Sequence, residues 1–437
     1  MAFITLSSLC RGTSPTRRGS FDPSPSFAIA LFLLLLLSAK NSYCDVDPLD
    51  CADDADSNDG LPATTGSPVC AATDRQALLQ FKASISSDPK GALARWNSSS
   101  NCCSWNGITC DATGHVVRVK LPQQSLKGTI SASLGALSAL KVLILYENNL
   151  SGSLPVSIGN LSKLQRLCLS GNSAISGAIP ASFSKLSSLQ LLDLSNNGLA
   201  GTLPAGIGGM ASLQRLRLYG NKIGGSIPAS FGLLSKLYNA DLGFNRLSGR
   251  IPDGFARGLS SLLFLYLENN LITGLPANLR NLTRLQWVDL SNNPIASSDA
   301  IAGLATAPLL SQIELASCGL KGKFPSWVSR LPQPDFTRLS DEVTPSLSLS
   351  NNAISGPIPA SLGKLKNLVG LSLDRNQLTG SIPASFANLQ SLRFFNVSLN
   401  QLSGKIPQVA PFTSFSTSAY RPGNPGLCGT PLTACKR

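Results

Sequence analysis

Leu189-Gln190-Leu191-Leu192-Asp193-Leu194-Ser195-Asn196-Asn197 decides the fold. Alternate residues of a short strand face opposite sides, so leucines at 189, 192 and 194 turn inward while the residues between them turn outward. The pattern L-x-x-L-x-L-x-x-N then recurs along the chain. Repeats one to twelve open at Val116, Leu140, Leu164, Leu189, Leu213, Leu237, Leu262, Leu285, Leu310, Thr344, Leu368 and Leu392. The steps are 24, 24, 25, 24, 24, 25, 23, 25, 34, 24 and 24 residues. Twelve units in near-constant register predict an α/β repeat solenoid, a right-handed leucine-rich-repeat superhelix with a parallel concave sheet.

The closing asparagine recurs at Asn148, Asn172, Asn197, Asn221, Asn245, Asn270, Asn293, Asn352, Asn376 and Asn400, with Gln124 and Cys318 breaking the column. An amide at that corner offers donors and an acceptor to the adjacent coil, so a buried ladder is expected. The second half of each unit reads L-x-G-x-I/L-P, as in Leu247-Ser248-Gly249-Arg250-Ile251-Pro252. Its glycine permits a tight bend and its proline ends the extended segment. Parallel strands about 4.8 Å apart make twelve coils a rod on the order of 55 Å long. No coil buries its apolar face alone, so both ends need caps.

The cysteines mark those caps. Of 11, four lie in Cys70, Cys102, Cys103 and Cys110 and two in Cys428 and Cys435, bracketing the array. Bridges Cys70–Cys102, Cys103–Cys110 and Cys428–Cys435 would act as clamps in an oxidising compartment. A zinc site fits poorly, because no histidine joins the cluster and Cys102 and Cys103 are adjacent. Thr73-Asp74-Arg75-Gln76 reads as a capping box ahead of Ala77, Leu78, Phe81 and Ile85 on one helical face, with Trp96 and Trp105 covering the first coil.

Targeting signals agree with oxidation. Phe27–Leu37 is an unbroken apolar run of 11 residues after three arginines and before Ser38-Ala39. That is the layout of a secretory signal and too short for a membrane anchor. A plastid transit peptide is the alternative reading of the long leader. No membrane-spanning stretch follows, and Ala434-Cys435-Lys436-Arg437 is no lipid-anchor tail, so a secreted, extracellular or wall-bound chain is expected. Sequons at Asn97, Asn149, Asn160, Asn281 and Asn396 suit N-glycosylation there. The organisation expected is a signal at 1–39, an acidic disordered segment at 40–69, a cap at 70–115, repeats at 116–415 with an insert at 330–342, and a cap at 416–437.

Net charge is +13, unevenly placed. Residues 41–73 hold seven aspartates and no lysine or arginine, whereas residues 74–437 hold 32 basic and 15 acidic groups. The folded body should attract polyanions at low salt. Nucleic acid is disfavoured by the targeting signal and by the lack of stacking aromatics interleaved with the charge.

Catalysis lacks parts. His115 is the only histidine and reads as the approach to the first strand. Asp193, Asp241 and Asp289 share an outward column but belong to alternate repeats, about 10 Å apart. Cys168, outward on its strand, has no base to activate it and reads as an unpaired or oxidised surface thiol. No enzyme activity, cofactor or metal is expected.

A partner would use the concave face, where repeats five to eight present Arg215, Arg217, Tyr219, Tyr238, Asn239, Asp241, Phe244, Phe264, Tyr266, Glu268, Trp287 and Asp289. Three of the six tyrosines and one of the four tryptophans fall in this band. Exposed aromatics beside arginines have the composition of protein-binding hot spots, although a shielding role for the sheet is the alternative. Mixed charge on the strands suits a protein or peptide; the basic remainder suits acidic pectin.

Asp74–Lys82, Trp96 and Cys102-Cys103-Ser104-Trp105-Asn106-Gly107-Ile108-Thr109-Cys110 resemble the N-terminal cap of plant extracellular leucine-rich-repeat proteins, the family of polygalacturonase-inhibiting proteins and receptor-like proteins and kinases. The L-x-G-x-I/L-P units match the same class. Gly423-Asn424-Pro425-Gly426-Leu427-Cys428-Gly429 looks more like the receptor-type cap. The resemblance implies a secreted recognition protein in defence or cell-surface signalling, with a peptide, a membrane co-receptor kinase or a microbial wall-degrading enzyme as partner. Inhibition of pectin-degrading enzymes is the alternative. Two departures count: a receptor would continue into a membrane helix, and inhibitors of this family usually have about ten repeats. No inhibitory residue of that family maps onto a position here. The insert Arg330–Glu342 falls where receptors often carry an island loop, but its length predicts a modest loop.

Overall fold

The computed structural model describes residue 51 and residues 68–333, 336–341 and 343–435. The signal expected at 1–39 lies outside the described residues, as does all of the acidic segment except Cys51 and residues 68 and 69.

Twelve parallel strands form the concave sheet: Val116–Lys120, Val142–Ile144, Arg166–Cys168, Leu191–Asp193, Arg215–Arg217, Asn239–Asp241, Phe264–Tyr266, Trp287–Asp289, Gln312–Glu314, Ser346–Ser348, Gly370–Ser372 and Phe394–Asn396. A thirteenth strand, Ile108–Cys110, joins antiparallel to the first and belongs to the cap. Each strand corresponds to one repeat. The inward positions, such as Leu192, Leu216, Leu265 and Val288, are at most 2% exposed. Burying each such side chain contributes about 1.5–3 kcal/mol.

The asparagine column bonds in both directions. In repeat seven, Asn270 Nδ2 donates to Leu242 O (3.0 Å) and Leu267 O (3.1 Å), and its Oδ1 accepts the Leu247 N–H (2.9 Å). One amide thus joins two coils, as the ladder reading expects. At the break, the Cys318 thiol donates to Leu290 O at 3.2 Å, while Asn352 Oδ1 accepts both the Cys318 and Leu320 N–H groups. Among the described residues, the Gln124 side chain reaches only the Pro122 carbonyl, two residues back.

The glycine-proline halves do more than turn. They build short sheets on the flank: Ile85–Ser87 with the strands at Lys127–Thr129, Asn149–Ser153, Ala174–Gly177 and Gly198–Leu199, then a three-stranded and a five-stranded sheet further along. Gly152 takes φ +82° in this flank, a left-handed value that a side chain strains to reach. Short 3-10 turns cross the far side, where a serine column adds bonds between coils: Ser157 Oγ donates to Ala132 O (2.7 Å) and Ser182 Oγ to Val156 O (2.7 Å). Neither the flank sheets nor this column was expected from the sequence.

The N-terminal cap helix spans Ala72–Ala83 and buries Ala77, Leu78 and Phe81. The expected capping box does not form. The helix starts two residues too early for it: Ala71 is the N-cap and makes no side-chain cap bond. Thr73 lies inside the first turn and donates instead to Asp74 Oδ1 (3.2 Å). Ile85 lies beyond the helix, on a strand of its own. Trp96 and Trp105 stack at 5.2 Å over the first coil, and the disulfides Cys70–Cys102 and Cys103–Cys110 hold the cap. The sulfurs of Cys70, Cys102 and Cys103 cluster within 4.8 Å, and all three are committed to those two bonds.

At the other end, Phe386, Phe395, Phe412, Phe415 and Tyr420 pack ring to ring, and Tyr420 Oη donates to Phe412 O (2.6 Å). Asn424 continues the ladder, accepting the Leu402 N–H at 2.8 Å, and Cys428–Cys435 closes the last loop. Among the described residues no helix is long and apolar enough to cross a membrane.

Candidate functional site

Register between the strands fixes two outward rows on the concave face. One runs Val142, Arg166, Leu191, Arg215, Asn239, Phe264, Trp287, Gln312. The other runs Ile144, Cys168, Asp193, Arg217, Asp241, Tyr266, Asp289, Glu314. Most of the residues expected to bind a partner stand in these rows; Tyr238 precedes its strand, and Tyr219, Phe244 and Glu268 follow theirs.

The expected exposure of this band is corrected. Phe264, Tyr266, Trp287, Glu268, Asp289, Arg215 and Arg217 are all buried, with Trp287 at 1%, and only Phe244 stays exposed, at 45%. Tyr219, Tyr238 and Asp241 are half-buried. Part of the reason is the insert. Leu339 and Val343 join Phe264, Tyr266 and Trp287 in one apolar cluster. Gln286 holds the loop down, with its Oε1 accepting the Ser340 N–H (2.8 Å) and its Nε2 donating to Arg338 O (3.5 Å). A strand position tells which way a side chain faces, not what covers it.

Nor do the three aromatics form one patch. Tyr266 and Trp287 meet at 5.0 Å, but Tyr238 turns to Arg215, whose guanidinium lies 5.1 Å from the ring centre and whose Nε donates to the tyrosine hydroxyl. Tyr219 instead packs on Phe244 at 4.9 Å. Space for the buried Glu268 comes from Gly243, where a Cβ would meet the carboxylate at 2.7 Å.

The aspartate column is local in purpose. Asp193, Asp241 and Asp289 accept the N–H of Ser195 (3.0 Å), Gly243 (3.2 Å) and Ser291 (2.9 Å), two residues on in each case. Arg217 stands between Asp193 and Asp241, 4.0 Å from the former, and Tyr266 separates Asp241 from Asp289. This gives no paired carboxylates for general acid and base. His115 Nδ1 lies 3.3 Å from Asp74 Oδ2, which also accepts the Val116 N–H at 2.8 Å, so the histidine belongs to the cap junction.

Cys168 is neither unpaired nor on the surface. It is fully buried and bonded to Cys51, 117 residues away. A partner 117 residues distant leaves no local spacing signal in the sequence.

An open groove of about 440 Å³ borders the first row, lined by Gln214, Lys236, Tyr238, Ser261, Leu263 and Arg284. Lys236 and Arg284 are exposed, and among the described residues neither has an acidic partner. Asn239, next to Tyr238 and 6% exposed, leaves its Oδ1 without a hydrogen-bond partner. Of the sequon asparagines, Asn97, Asn149, Asn160 and Asn281 are exposed and Asn396 is half-buried.

Residues 71–111 match the leucine rich repeat N-terminal domain, residues 115–344 the leucine-rich repeat region and residues 345–402 the leucine rich repeat. Phytosulfokine receptor 1 of Arabidopsis thaliana is 37% identical over 105 residues, 24% of this chain and 10% of that protein. The crystal structure of the Arabidopsis receptor kinase HAESA in complex with the peptide hormone IDA and the co-receptor SERK1 is similar, with a TM-score of 0.63 and 32% identity over 77% of this chain and 55% of that one. The PEPR1–AtPEP1 structure gives a TM-score of 0.62 and 30% identity over 77% of this chain and 50% of that one. The chain thus spans about a tenth of the curated relatives and about half of the solved structures it matches. With more than half its length in one repeat region behind a plant-type cap, the chain belongs to the leucine-rich-repeat family.

Proposed function

We propose that this protein is a secreted plant recognition protein that binds a peptide, or an extended segment of a partner protein, along its concave face, in defence or cell-surface signalling. The groove beside repeats five to eight carries the reading. Lys236 and Arg284 offer two cations to a carboxylate, and Leu263 and Tyr238 offer an apolar wall. The structure of HAESA, described in complex with the peptide hormone IDA, supports the choice of ligand class.

The test is a panel of synthetic peptides with free or amidated C-termini. A bound peptide should lose affinity at least tenfold on amidation, and Arg284→Gln should produce the same loss with an unchanged melting temperature. Equal binding of both forms would move the site away from the groove.

A second reading rests on the basic body, with 32 basic and 15 acidic groups over residues 74–437. It is an inhibitor of pectin-degrading enzymes held on acidic pectin through its exterior. Retention on demethylated pectin that a few tenths molar salt releases would support it, since the Debye length is about 10 Å at 0.1 M.

A further inference from the structure

Four outward residues of repeats two to four are apolar or sulfur-bearing: Val142, Ile144, Cys168 and Leu191. All four are at most 5% exposed, and Cys51, itself 9% exposed, clusters with them beside the half-buried Tyr146. The bond from Cys51 to Cys168 fixes residue 51 on the concave side of the sheet, where its sulfur lies 3.9 Å from Asp193 Oδ2. An apolar shelf on a solenoid's open face is unusual unless something covers it, and Cys51 is seated there.

Charge identifies the rest of the occupant. Asp47–Asp59, centred near Cys51, has six aspartates and no lysine or arginine. The strand positions of repeats one to five carry Arg118, Lys120, Lys141, Arg166, Arg215 and Arg217 against only Glu147 and Asp193. Beyond repeat five that excess disappears. Opposite charges on a segment and on the face to which it is bonded favour the docked state and set its register.

We propose that the concave face of repeats two to five is a docking surface for the chain's own segment Asp47–Asp59, seated by charge and secured through Cys51 on the shelf of Val142, Ile144, Cys168 and Leu191. A partner then engages the face from the groove of repeats five to eight onward. This goes beyond the proposed peptide binding and does not depend on it.

The test uses the full secreted chain. Peptide mapping without reduction should recover Cys51 and Cys168 in one cross-linked pair. The protein is then equilibrated in glutathione buffers, and the effective concentration of Cys51 towards Cys168 is read from the fraction bonded. A variant with Asp47, Asp50, Asp53, Asp54, Asp56 and Asp59 all changed to Asn leaves the repeats untouched and should fold. Docking requires its effective concentration to be at least tenfold lower at 0.1 M salt, with the wild type falling toward it at 1 M. Equal values in both chains at low salt, or mapping that finds Cys51 free or bonded to Cys44, would overturn the proposal.

Discussion

Tyr266 and Trp287 meet edge to face on adjacent strands, ring centres 5.0 Å apart and planes at 84°. Edge-to-face pairs favour each other by about 0.5–1.5 kcal/mol beyond the area they bury. With Tyr266 at 8% exposure, Tyr266→Ala should cost about 3 kcal/mol and lower the melting temperature, whereas Phe244→Ala, at an exposed position, should leave it nearly unchanged. Paired thermal melts check this. Shortening the insert by removing Leu339 should also raise acrylamide quenching of tryptophan emission, because all four tryptophans are otherwise buried.

Asp74 is 1% exposed and bridges the cap helix to the first strand. Asp74→Ala leaves the buried Val116 N–H unmet, which costs about 1–3 kcal/mol. Hydrogen exchange should show the loss confined to the cap and repeat one, since a solenoid's coils contact only their neighbours. Uniform loss of protection along the chain would contradict that locality.

Asn270 serves two coils with three bonds. Asn270→Ala should therefore be more destabilising than any exposed substitution, by about 3 kcal/mol. Urea titration should show a lower midpoint, and limited proteolysis should cut between repeats six and eight before it cuts the ends.

Burial pushes the Cys318 thiol up to about 12. The thiolate is the reactive form, so native protein at pH 8 should not be alkylated at Cys318 by iodoacetamide, and unfolded protein should be. The unfolded thiol ionises near 8.5 and the folded one near 12, so stability is full below the first value and falls as pH rises between them. Cys318→Ala should remove that part of the alkaline loss.

The repeat was legible because each inward leucine and corner asparagine meets a requirement one residue wide, and no other spacing meets it. Asn197 and Asn270 take the ladder roles that their positions imply. The flank sheets were not legible, since Gly152 and its counterparts read as turns until neighbouring coils supply hydrogen-bond partners. The candidate site was half legible. Period-two alternation placed Tyr266, Trp287 and Arg217 on the open face, but their burial depends on contacts from elsewhere, such as Leu339 and Val343. The Cys51–Cys168 bond was beyond sequence reasoning altogether, because among 11 cysteines nothing in spacing singles out a pair 117 residues apart.

The steps between repeats vary from 23 to 34 residues, yet the concave rows keep one residue opposite one residue throughout. Extra length is taken up elsewhere on each coil, so the open face behaves as a ruler with evenly spaced marks. A substitution at one mark leaves the spacing of the others intact. Specificity in such a molecule is therefore editable letter by letter, and a whole coil could be gained or lost as a single unit of reach.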